Sequence, residues 1–375
     1  MKIGFDAKRY FNNRTGLGNY SRTLISNLNA YYPNHEYILY TPSISLREEQ
    51  NKIGNTSNIC IRTAGSKNHN LWRSFEIKKD IKNDSLDIYH GLSHELPRSN
   101  DRMHCKKVVT IHDLIFKTHP SYFPYIDRSF YHIKCKHCLH TADVIIAISE
   151  NTKKDIVKYY SIDPNKIQVV YQACHPRYYN IPSNLEPPAS FPSEYLLSVG
   201  SLEKRKNITT IIQAYAQLEE PYQIPLLLIG NGRKHKNQLR DQINRLNLQK
   251  KISILSNIPS EQLPAIYQNA QMVLYPSFYE GFGLPVAEAL LSSTPVITSR
   301  TSSLPEAGGP ATYYVDPTSA DEITQGITTI LSDSELASTM IKQGKQYAME
   351  KFNPETLTHQ MMDIYSNVLA ETFVK

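Results

Sequence analysis

The chain of 375 residues is longer than one ordinary hydrophobic core, so the sequence predicts two domains. Hydrophobic residues make up 40% and charged residues 20%, which excludes a disordered or fibrous protein. The net charge is +6, and neither a signal peptide nor a membrane-spanning apolar run is visible, so we expect a cytoplasmic protein.

Short apolar runs alternate with helical patterns through residues 1–180, the predicted N-terminal domain. The predicted strands are Lys2–Asp6, Tyr37–Tyr40, Ile88–His90, Lys107–Ile111, Val144–Ile148 and Ile167–Tyr171. A glycine-containing loop follows the first strand, and the predicted helices are Asn19–Ala30, Leu71–Lys82, Pro124–Thr141 and Glu150–Tyr160. This alternation is typical of a mostly parallel sheet covered by helices on both faces.

A proline-rich segment, residues 181–194, interrupts this pattern and is predicted to be a linker, because proline disfavours helix. A second α/β alternation fills residues 195–353. Its predicted strands are Tyr195–Val199, Pro225–Ile229, Ile252–Leu255, Met272–Tyr275, Val296–Ser299 and Thr312–Val315. Its predicted helices are Asn207–Leu218, Arg233–Leu246, Glu261–Asn269, Leu284–Leu291, Ala320–Leu331 and Glu335–Lys351. A last helix, about Pro354–Thr372, has no strand after it and lies in the C-terminal segment 354–375.

Two doubly wound sheets joined by a linker enclose a cleft. Ligands of such sheets bind beyond the carboxyl ends of the strands, so site residues are expected in the loops that follow strands.

The five cysteines are odd in number and irregularly spaced, so a disulfide framework is not expected. Cys135, Cys138 and His140 resemble part of a metal site, but a structural zinc site needs four converging ligands and there is no second cysteine pair. Free cysteine is commonly a small buried hydrophobe, so both cysteines are interpreted as core or groove residues of one helix. We therefore predict no metal site.

The most informative loop, residues 277–284, joins a predicted strand to a predicted helix. Gly281 and Gly283 let the backbone approach a ligand closely, and the free N–H groups at a helix start suit a diphosphate. Glu280 and Glu288 flank this turn. Carboxylates do not bind phosphate, so we expect them to accept hydrogen bonds from the transferred sugar and the ribose. The alternative interpretation is an acid at a helix start and an unrelated surface acid.

The loop of residues 200–207 also joins a strand to a helix. Its three consecutive cations, Lys204, Arg205 and Lys206, oppose the dipole of the helix that follows, which costs up to about 1 kcal/mol each at exposed sites. Because an anionic ligand would reverse that cost, we assign Arg205 and Lys206 to the diphosphate, whose developing charge they neutralise without a metal. The alternative is a solvated basic turn.

These segments together resemble glycosyltransferase family 4, the retaining enzymes with the GT-B fold, and within it the mannosyltransferase-like branch. Glu280 and Glu288 match the E-x7-E motif of the family. Residues 200–207 resemble its second phosphate motif, and residues 302–306 resemble the stretch after the acidic motif. Three segments of the first half also resemble the family. Residues 15–20 resemble its glycine loop, residues 89–91 a further loop, and residues 110–114 the strand end that contains a histidine.

The resemblance implies two Rossmann-like doubly wound parallel-sheet domains that face a cleft, with the final helix crossing back onto the first domain. It implies that Glu280 holds hydroxyls of the donor sugar, that Glu288 holds the ribose, and that His112 lies over the reacting sugar. The other donor-binding residues that it implies are Gly16, Gly18, Ser201, Ile258, Gly281, Phe282, Gly283 and Leu284. The family generally works without a bound metal, so no cofactor beyond the nucleotide-sugar substrate is implied.

Two positions depart from the family pattern. Ser201 stands where the family frequently has Arg, and we expect Arg205 and Lys206 to supply both positive charges. Pro310 takes the place of an acid that frequently follows Glu306, which affects the conformation of that loop rather than the reaction.

Candidate acceptor-side residues in the first domain are Tyr20, His90 and Asp113. His112 has two interpretations: a strand-end histidine satisfied within the fold, or, with Asp113 beside it, a catalytic group that orients the sugar and stabilises charge. A general-base role is not implied, since retaining transfer in this family lets the leaving phosphate take the proton of the acceptor.

Charge is uneven, because residues 1–180 carry +10 and the remainder −4. Since the cations are scattered, this is either a solvated basic face or a surface that meets something anionic, such as a membrane bearing a lipid-linked acceptor. No nucleic-acid-binding motif is visible, so we expect no nucleic-acid partner.

The sequence thus predicts transfer of a hexose, with retained configuration, from a nucleoside-diphosphate sugar to a hydroxyl of a glycan or lipid-linked glycan in surface polysaccharide synthesis. GDP-mannose is the first choice of donor, followed by UDP- and dTDP-sugars. Two alternatives stay open: a nucleotide-sugar epimerase of similar fold, and a non-catalytic nucleotide-sugar binding protein. A dinucleotide dehydrogenase is disfavoured because no Gly-x-Gly-x-x-Gly follows the first strand.

Overall fold

A computed structural model describes residues 1–53, 56–64, 72–98, 103–182 and 184–370. The chain forms two compact units. The first contains residues 1–173 together with the helix Pro354–Ala370, and the second is Cys174–Asn353. The predicted helix start at Leu71 and the end of the last predicted helix, residues 371 and 372, lie outside the described residues.

The first unit is built on a seven-stranded sheet in which every recorded pairing is parallel. Its strands β1 to β7 are Lys2–Asp6, Glu36–Thr41, Ile59–Thr63, Ile88–Gly91, Lys106–Ile111, Val144–Ala147 and Ile167–Val169. Its helices, before the last one, are Lys8–Asn12, Gly16–Tyr31, Arg47–Ile53, Ile77–Asn83, Ile115–Thr118, Tyr125–Thr141 and Glu150–Tyr160, with a π-helical turn at Trp72–Glu76. The strand order is β3-β2-β1-β4-β5-β6-β7.

The second unit repeats this plan with six parallel strands in the order β10-β9-β8-β11-β12-β13. Strands β8 to β13 are Leu196–Val199, Leu226–Ile229, Ile252–Leu255, Met272–Tyr275, Val296–Ser299 and Tyr313–Val315. The helices are Ile208–Ala216, Arg233–Arg245, Leu263–Gln268, Leu284–Leu291, Leu304–Gly308, Ala320–Ser332 and Ser334–Lys351. The predicted fold class, two doubly wound parallel-sheet α/β domains, is confirmed.

Central strands are buried on both faces and therefore appear in the sequence as continuous apolar runs. Met272–Tyr275 and Leu226–Ile229 are buried throughout, and each fully buried aliphatic side chain contributes about 1.5–3 kcal/mol. The strand Ile59–Thr63, by contrast, was not predicted. It lies at the edge of its sheet and is half-buried or exposed, so its sequence lacks the apolar run.

The boundary between the units falls at residues 173 and 174, before the predicted linker. Residues that follow the boundary are held by the second unit: Tyr178 packs edge-on against Tyr267, with ring centroids 6.0 Å apart. The carbonyl of Leu185 accepts a hydrogen bond of 3.0 Å from the side chain of Asn269. Proline-rich residues 181–194 are thus part of the second unit by their contacts.

Each sheet has one place where the chain order reverses, between β1 and β4 in the first unit and between β8 and β11 in the second. Loops at the carboxyl ends of such neighbouring strands diverge and leave room for a ligand. In the part of the chain that the structure describes, no helix has the length and apolar character needed to span a bilayer.

Candidate functional site

The loops that follow β8 and β11 are fastened to each other in the second unit. Lys204–Lys206 form a single 3₁₀ turn, and Asn207 then adopts a left-handed conformation with φ of 60° before the helix Ile208–Ala216. The Asn207 side chain donates hydrogen bonds to the carbonyls of Pro276, at 3.0 Å, and Pro317, at 2.6 Å. The basic turn is therefore held at a fixed position beside the glycine-rich loop.

Glu280 is the centre of this site. Its buried carboxylate accepts hydrogen bonds from Arg205 Nη1 and Lys206 Nζ, each at 2.6 Å, and from the Tyr275 hydroxyl at 3.1 Å. Lys206 also contacts the Tyr275 hydroxyl, and its Nζ lies 4.8 Å from the centre of that ring. The sequence predicts both cations at a diphosphate, but no local pattern in it predicts their pairing with Glu280.

The ion pairs keep Glu280 ionised. Burial alone would raise the pKa of this carboxyl, but Lys206 and Arg205 outweigh that effect and lower it to about 2. Glu203, which is more exposed, also pairs with Arg205 at 3.3 Å. Two carboxylates therefore balance Arg205 and Lys206, and Lys204 gives the turn one surplus positive charge. The surplus positive charge favours an anionic ligand.

Two serines hold the backbone of this loop, and sequence analysis did not assign them to the site. Ser302 Oγ accepts a hydrogen bond of 3.0 Å from the Glu280 N–H. Ser303 Oγ donates to the carbonyls of Glu280 and Phe282, each at 2.9 Å. Both serines lie in the segment 302–306, and the resemblance of this segment to the family is the feature of the sequence from which they could have been found.

Gly283 starts the helix Leu284–Leu291 in a conformation that requires glycine, with φ of +117°. A Cβ atom there would lie 2.9 Å from Leu304 Cδ2 and 3.2 Å from Ala307 Cβ. No side chain caps the start of this helix. Pro285 has no N–H, and the Val286 N–H donates to the Gly283 carbonyl at 2.9 Å. The N–H of Leu284 is therefore the one at the helix start that suits an anion.

Glu288 lies one turn into that helix and is half-buried. Its Oε2 accepts a hydrogen bond of 3.1 Å from the Tyr267 hydroxyl. Burial raises its pKa to about 7, although Tyr267, Arg177 and Tyr178 oppose the shift. The structure therefore places Glu288 in a different electrostatic environment from Glu280, although the two share one loop and helix.

The two other predicted donor residues of this unit lie in loops at the same edge of its sheet. Ser201 and Ile258 are both half-buried, and they follow β8 and β10 respectively. Gly281 and Phe282 are buried, and Phe282 packs edge-on against Phe352 at a centroid distance of 5.1 Å.

In the first unit, His112 is buried directly after β5. Its Nε2 lies 2.9 Å from the Leu92 carbonyl, which only accepts, so Nε2 carries the proton and Nδ1 accepts from the Gln172 amide at 3.2 Å. Burial, above all, lowers its pKa to about 3. His112 is thus a neutral imidazole with both nitrogens bonded within the fold, the arrangement expected of a strand-end histidine satisfied by its neighbours.

Tyr20 and His90, predicted on the acceptor side, form a buried network. Thr110 Oγ1 lies 3.0 Å from the Tyr20 hydroxyl and 2.8 Å from His90 Nε2. His90 Nδ1 lies 2.7 Å from the hydroxyl of Tyr365 on the final helix. These contacts occupy both ring nitrogens of His90, so they describe a structural role that joins the final helix to the sheet. Asp113, half-buried, accepts a hydrogen bond from a backbone N–H two residues later in its own turn.

The predicted glycine loop is the start of a helix in the structure. The helix begins at Gly16, not at Asn19 as predicted, because the Asn13 carboxamide accepts hydrogen bonds from the N–H groups of Thr15, at 2.8 Å, and Gly18, at 3.1 Å. A Cβ atom at Gly18 would lie 1.9 Å from the Asn13 carbonyl oxygen, whereas one at Gly16 would meet nothing within 4 Å.

The helix Tyr125–Thr141 exposes an apolar stripe. Ile126, Phe130 and Ile133 are spaced by four and three residues, so they share one face, and they are 81%, 55% and 54% exposed. Large apolar side chains that stay in contact with water in such a group indicate an interaction surface.

The cysteines of this helix are on its buried side. Cys135 and Cys138 are buried, and the Cys138 thiol donates to the Cys135 carbonyl at 3.2 Å. Among the described residues, no three His, Cys, Asp or Glu side chains are grouped so that they could hold a metal ion.

Family models match both halves of the chain. The family model described as "Glycosyltransferase Family 4" matches residues 14–177, and "Glycosyl transferases group 1" matches residues 187–347. The O-antigen chain mannosyltransferase B of Escherichia coli is 34% identical over 286 residues, which are 72% of this chain and 73% of that protein.

Two solved structures share the fold over nearly the whole chain. A glycosyltransferase from Rickettsia africae has a TM-score of 0.75 at 20% identity, covering 98% of each chain. The Anabaena protein Alr3699/HepE, in complex with UDP, has a TM-score of 0.74 at 16% identity, covering 98% of this chain and all of that one.

Two parallel-sheet α/β domains, together with the likeness to a solved glycosyltransferase structure, define the GT-B fold class. The chain belongs to glycosyltransferase family 4, and it is a glycosyltransferase with mannosyltransferase relatives.

Proposed function

We propose that this enzyme transfers a hexose from a nucleoside-diphosphate sugar to a hydroxyl of a glycan or lipid-linked glycan, with retained anomeric configuration, in surface polysaccharide synthesis. The observation that carries the proposal is the basic turn, in which Arg205 and Lys206 meet Glu280, beside the uncapped start of the helix Leu284–Leu291. This arrangement suits a sugar-linked diphosphate, since the helix start and the cations bind the anion and the acids face hydroxyls.

In this proposal the bond between the anomeric carbon and the diphosphate oxygen breaks, and the acceptor oxygen bonds to that carbon from the same face. The leaving phosphate takes the acceptor proton. Arg205 and Lys206 neutralise the charge that develops on the diphosphate. His112 takes no proton in this scheme, and to orient the sugar one of its ring nitrogens must exchange its bond to Leu92 or Gln172 for a bond to the sugar. No metal is required in this scheme, because the two cations supply the neutralising charge.

GDP-mannose is the proposed donor. The similarity to the Escherichia coli mannosyltransferase supports mannose, whereas the structural likeness to the UDP-bound Anabaena protein makes a UDP-sugar the principal competitor.

We expect GDP-mannose to stabilise the protein more than UDP-, dTDP- or CMP-sugars in a thermal-shift panel. A ligand at 100 times its Kd stabilises a protein by about 2.7 kcal/mol, which such a panel resolves. Failure of every nucleotide sugar to raise the melting temperature would contradict the donor site. If one donor stabilises the protein, release of free nucleotide from that donor in the absence of an acceptor would favour the epimerase alternative. The anomeric configuration of the transfer product, measured by NMR, tests retention.

We also propose that the apolar stripe of the helix Tyr125–Thr141 meets an anionic membrane surface at the inner face of the membrane. Arg128 and Lys136 lie on the same helix with one acid, Asp127, whereas Lys134 is paired with Glu95, so the helix combines exposed apolar side chains with a small positive charge. This combination is typical of helices that lie in a membrane interface. Anionic lipids would then attract the excess positive charge of residues 1–180.

Replacing Ile126 and Ile133 together by serine is expected to weaken vesicle binding at least about tenfold, because two apolar side chains leave the interface. Flotation with phosphatidylcholine vesicles, with and without phosphatidylglycerol, measures this. Leu246→Ser, at a 40% exposed leucine of the second unit, is the control that should bind as the unchanged protein does. Equal binding of the double variant and this control would refute the membrane surface.

A further inference from the structure

A cavity of about 350 Å³ lies in the first unit, and every residue that lines it belongs to that unit. Asp6, at the carboxyl end of β1, and Glu95, in the loop after β4, line one side of it. The helix Tyr125–Thr141 supplies the other side. Since β1 and β4 are the neighbours at which the strand order reverses, the cavity occupies the position where doubly wound sheets bind ligands.

The wall of the cavity is a network of ion pairs among four residues. Arg73 lies between two carboxylates: its Nε donates to Asp6 Oδ2 at 3.0 Å, and its Nη1 pairs with Glu95. Lys134 pairs with Glu95 as well. Asp6 and Arg73 are nearly buried, with side chains 4% and 12% exposed. These two acids and two bases balance each other, so the wall is rigid and carries no net charge.

Two further cations line the cavity without such a balance. Lys8 and Arg98 form no ion pair with any residue in the described ranges. Burial, followed by the charge of Arg73, lowers the pKa of Lys8, and the carboxylates of Glu95 and Asp6 compensate its charge only in part. An anion in the cavity would supply further compensation for both cations.

The cavity also has an apolar exit. Phe130 lines it and belongs to the exposed stripe with Ile126 and Ile133. Lys134, one turn further along the helix, holds its Nζ 4.4 Å from the centre of the Phe130 ring. A molecule with an anionic group in the cavity would therefore have an apolar path for the rest of its length.

We propose that this cavity binds the phosphate or diphosphate of a lipid-linked acceptor, with the apolar chain of that acceptor lying along the stripe. The proposal rests on the proposed function, for which it names the acceptor site. Lys8 and Arg98 bind the phosphate oxygens, and Phe130 contacts the first part of the chain. A free phosphate shares only the anionic part of this chemistry, so the two sources differ in their need for the apolar stripe.

Farnesyl diphosphate is a soluble probe with both features, and its binding to the full-length protein can be measured by calorimetry. We expect K8Q/R98Q to bind it at least about tenfold more weakly, because two charge-assisted contacts are lost. R47Q/K154Q removes the same charge from two exposed positions of the same unit and should bind within about twofold of the unchanged protein. Inorganic diphosphate should bind more weakly than farnesyl diphosphate to the unchanged protein, because it lacks the apolar chain.

Three results would overturn the proposal. One is an unchanged Kd for K8Q/R98Q. Another is equal affinity for inorganic and farnesyl diphosphate, which would indicate a free-phosphate site. The third is loss of probe binding in Arg205→Gln, which would place the probe in the donor site of the second unit. Probe-dependent protection of residues 125–141 from hydrogen exchange in the unchanged protein supports the site without any variant, and absence of that protection contradicts it.

Failure here is distinguishable from failure of the proposed function. The nucleotide-sugar panel reports on the second unit and needs no acceptor. Donor binding with unchanged probe affinity in K8Q/R98Q would leave a glycosyltransferase whose acceptor binds elsewhere.

Discussion

Glu280→Gln is expected to lower kcat/KM by about 100-fold while the affinity for the nucleoside diphosphate is retained or increased. Removing one preorganised charged group from a reaction centre typically costs this much in rate. The carboxylate is paired with Arg205 and Lys206, so the amide leaves two cations with less compensation. A diphosphate is an anion and restores part of that compensation when it binds.

The same change is expected to destabilise the second unit by about 3–5 kcal/mol, the usual cost of breaking a buried ion pair. Because the folded-state pKa of Glu280 is about 2, below its ordinary value of 4.5, the ion pairs stabilise the unit above pH 4.5. This contribution is lost as the pH falls from 4.5 towards 2, and Glu280→Gln should lack that part of the acid dependence. Hydrogen exchange of the strand Met272–Tyr275 measures both effects.

Glu220→Gln is the matched control for that experiment. It removes an exposed acid that pairs with Lys251 in the same unit, with a side chain 83% exposed. Exposed pairs contribute at most about 1 kcal/mol, so activity and hydrogen exchange should barely change. Folded Glu280→Gln protein with undiminished transfer would refute the assigned role and favour a non-catalytic binding protein or a different active site.

Sequence analysis predicted the fold because buried strands and amphipathic helices leave periodic signals. The strands Ile252–Leu255, Met272–Tyr275 and Val296–Ser299 were predicted at their observed bounds, since each is an apolar run between turn residues. The signal fails where burial is incomplete, as at the edge strand Ile59–Thr63. It also misplaces ends that depend on capping, as at Gly16, where the Asn13 side chain decides the helix start.

Site residues can be found from the sequence when they lie close together along the chain, and they are missed when only the fold brings them together. The two acids and the two glycines between them lie within nine consecutive positions, so their pattern was visible. The pairing of Arg205 with Glu280 spans 75 positions and exists because β8 and β11 are neighbours. Asp6, Arg73 and Glu95 come from three separate segments, and no local pattern links them.

Arg73→Met is expected to destabilise the first unit by about 3–5 kcal/mol. The guanidinium donates twice to Asp6, whose side chain is 4% exposed, and it also pairs with Glu95. Methionine fills a similar volume but leaves the Asp6 carboxylate buried without its cation, which is the costly half of breaking such a pair. Trp72, the single tryptophan of the chain, is buried in the same unit, so its fluorescence in urea reports the unfolding of this unit alone.

Two further variants separate the buried network from ordinary surface charge. Asp6→Asn in the Arg73→Met background removes the uncompensated carboxylate and should recover more than half of the lost free energy of unfolding. Arg62→Gln breaks a more exposed pair with Asp84 and should cost less than about 1 kcal/mol. If Arg73→Met cost no more than Arg62→Gln, the network would be as well solvated as a surface pair, and the preorganised wall of the cavity would lose its basis.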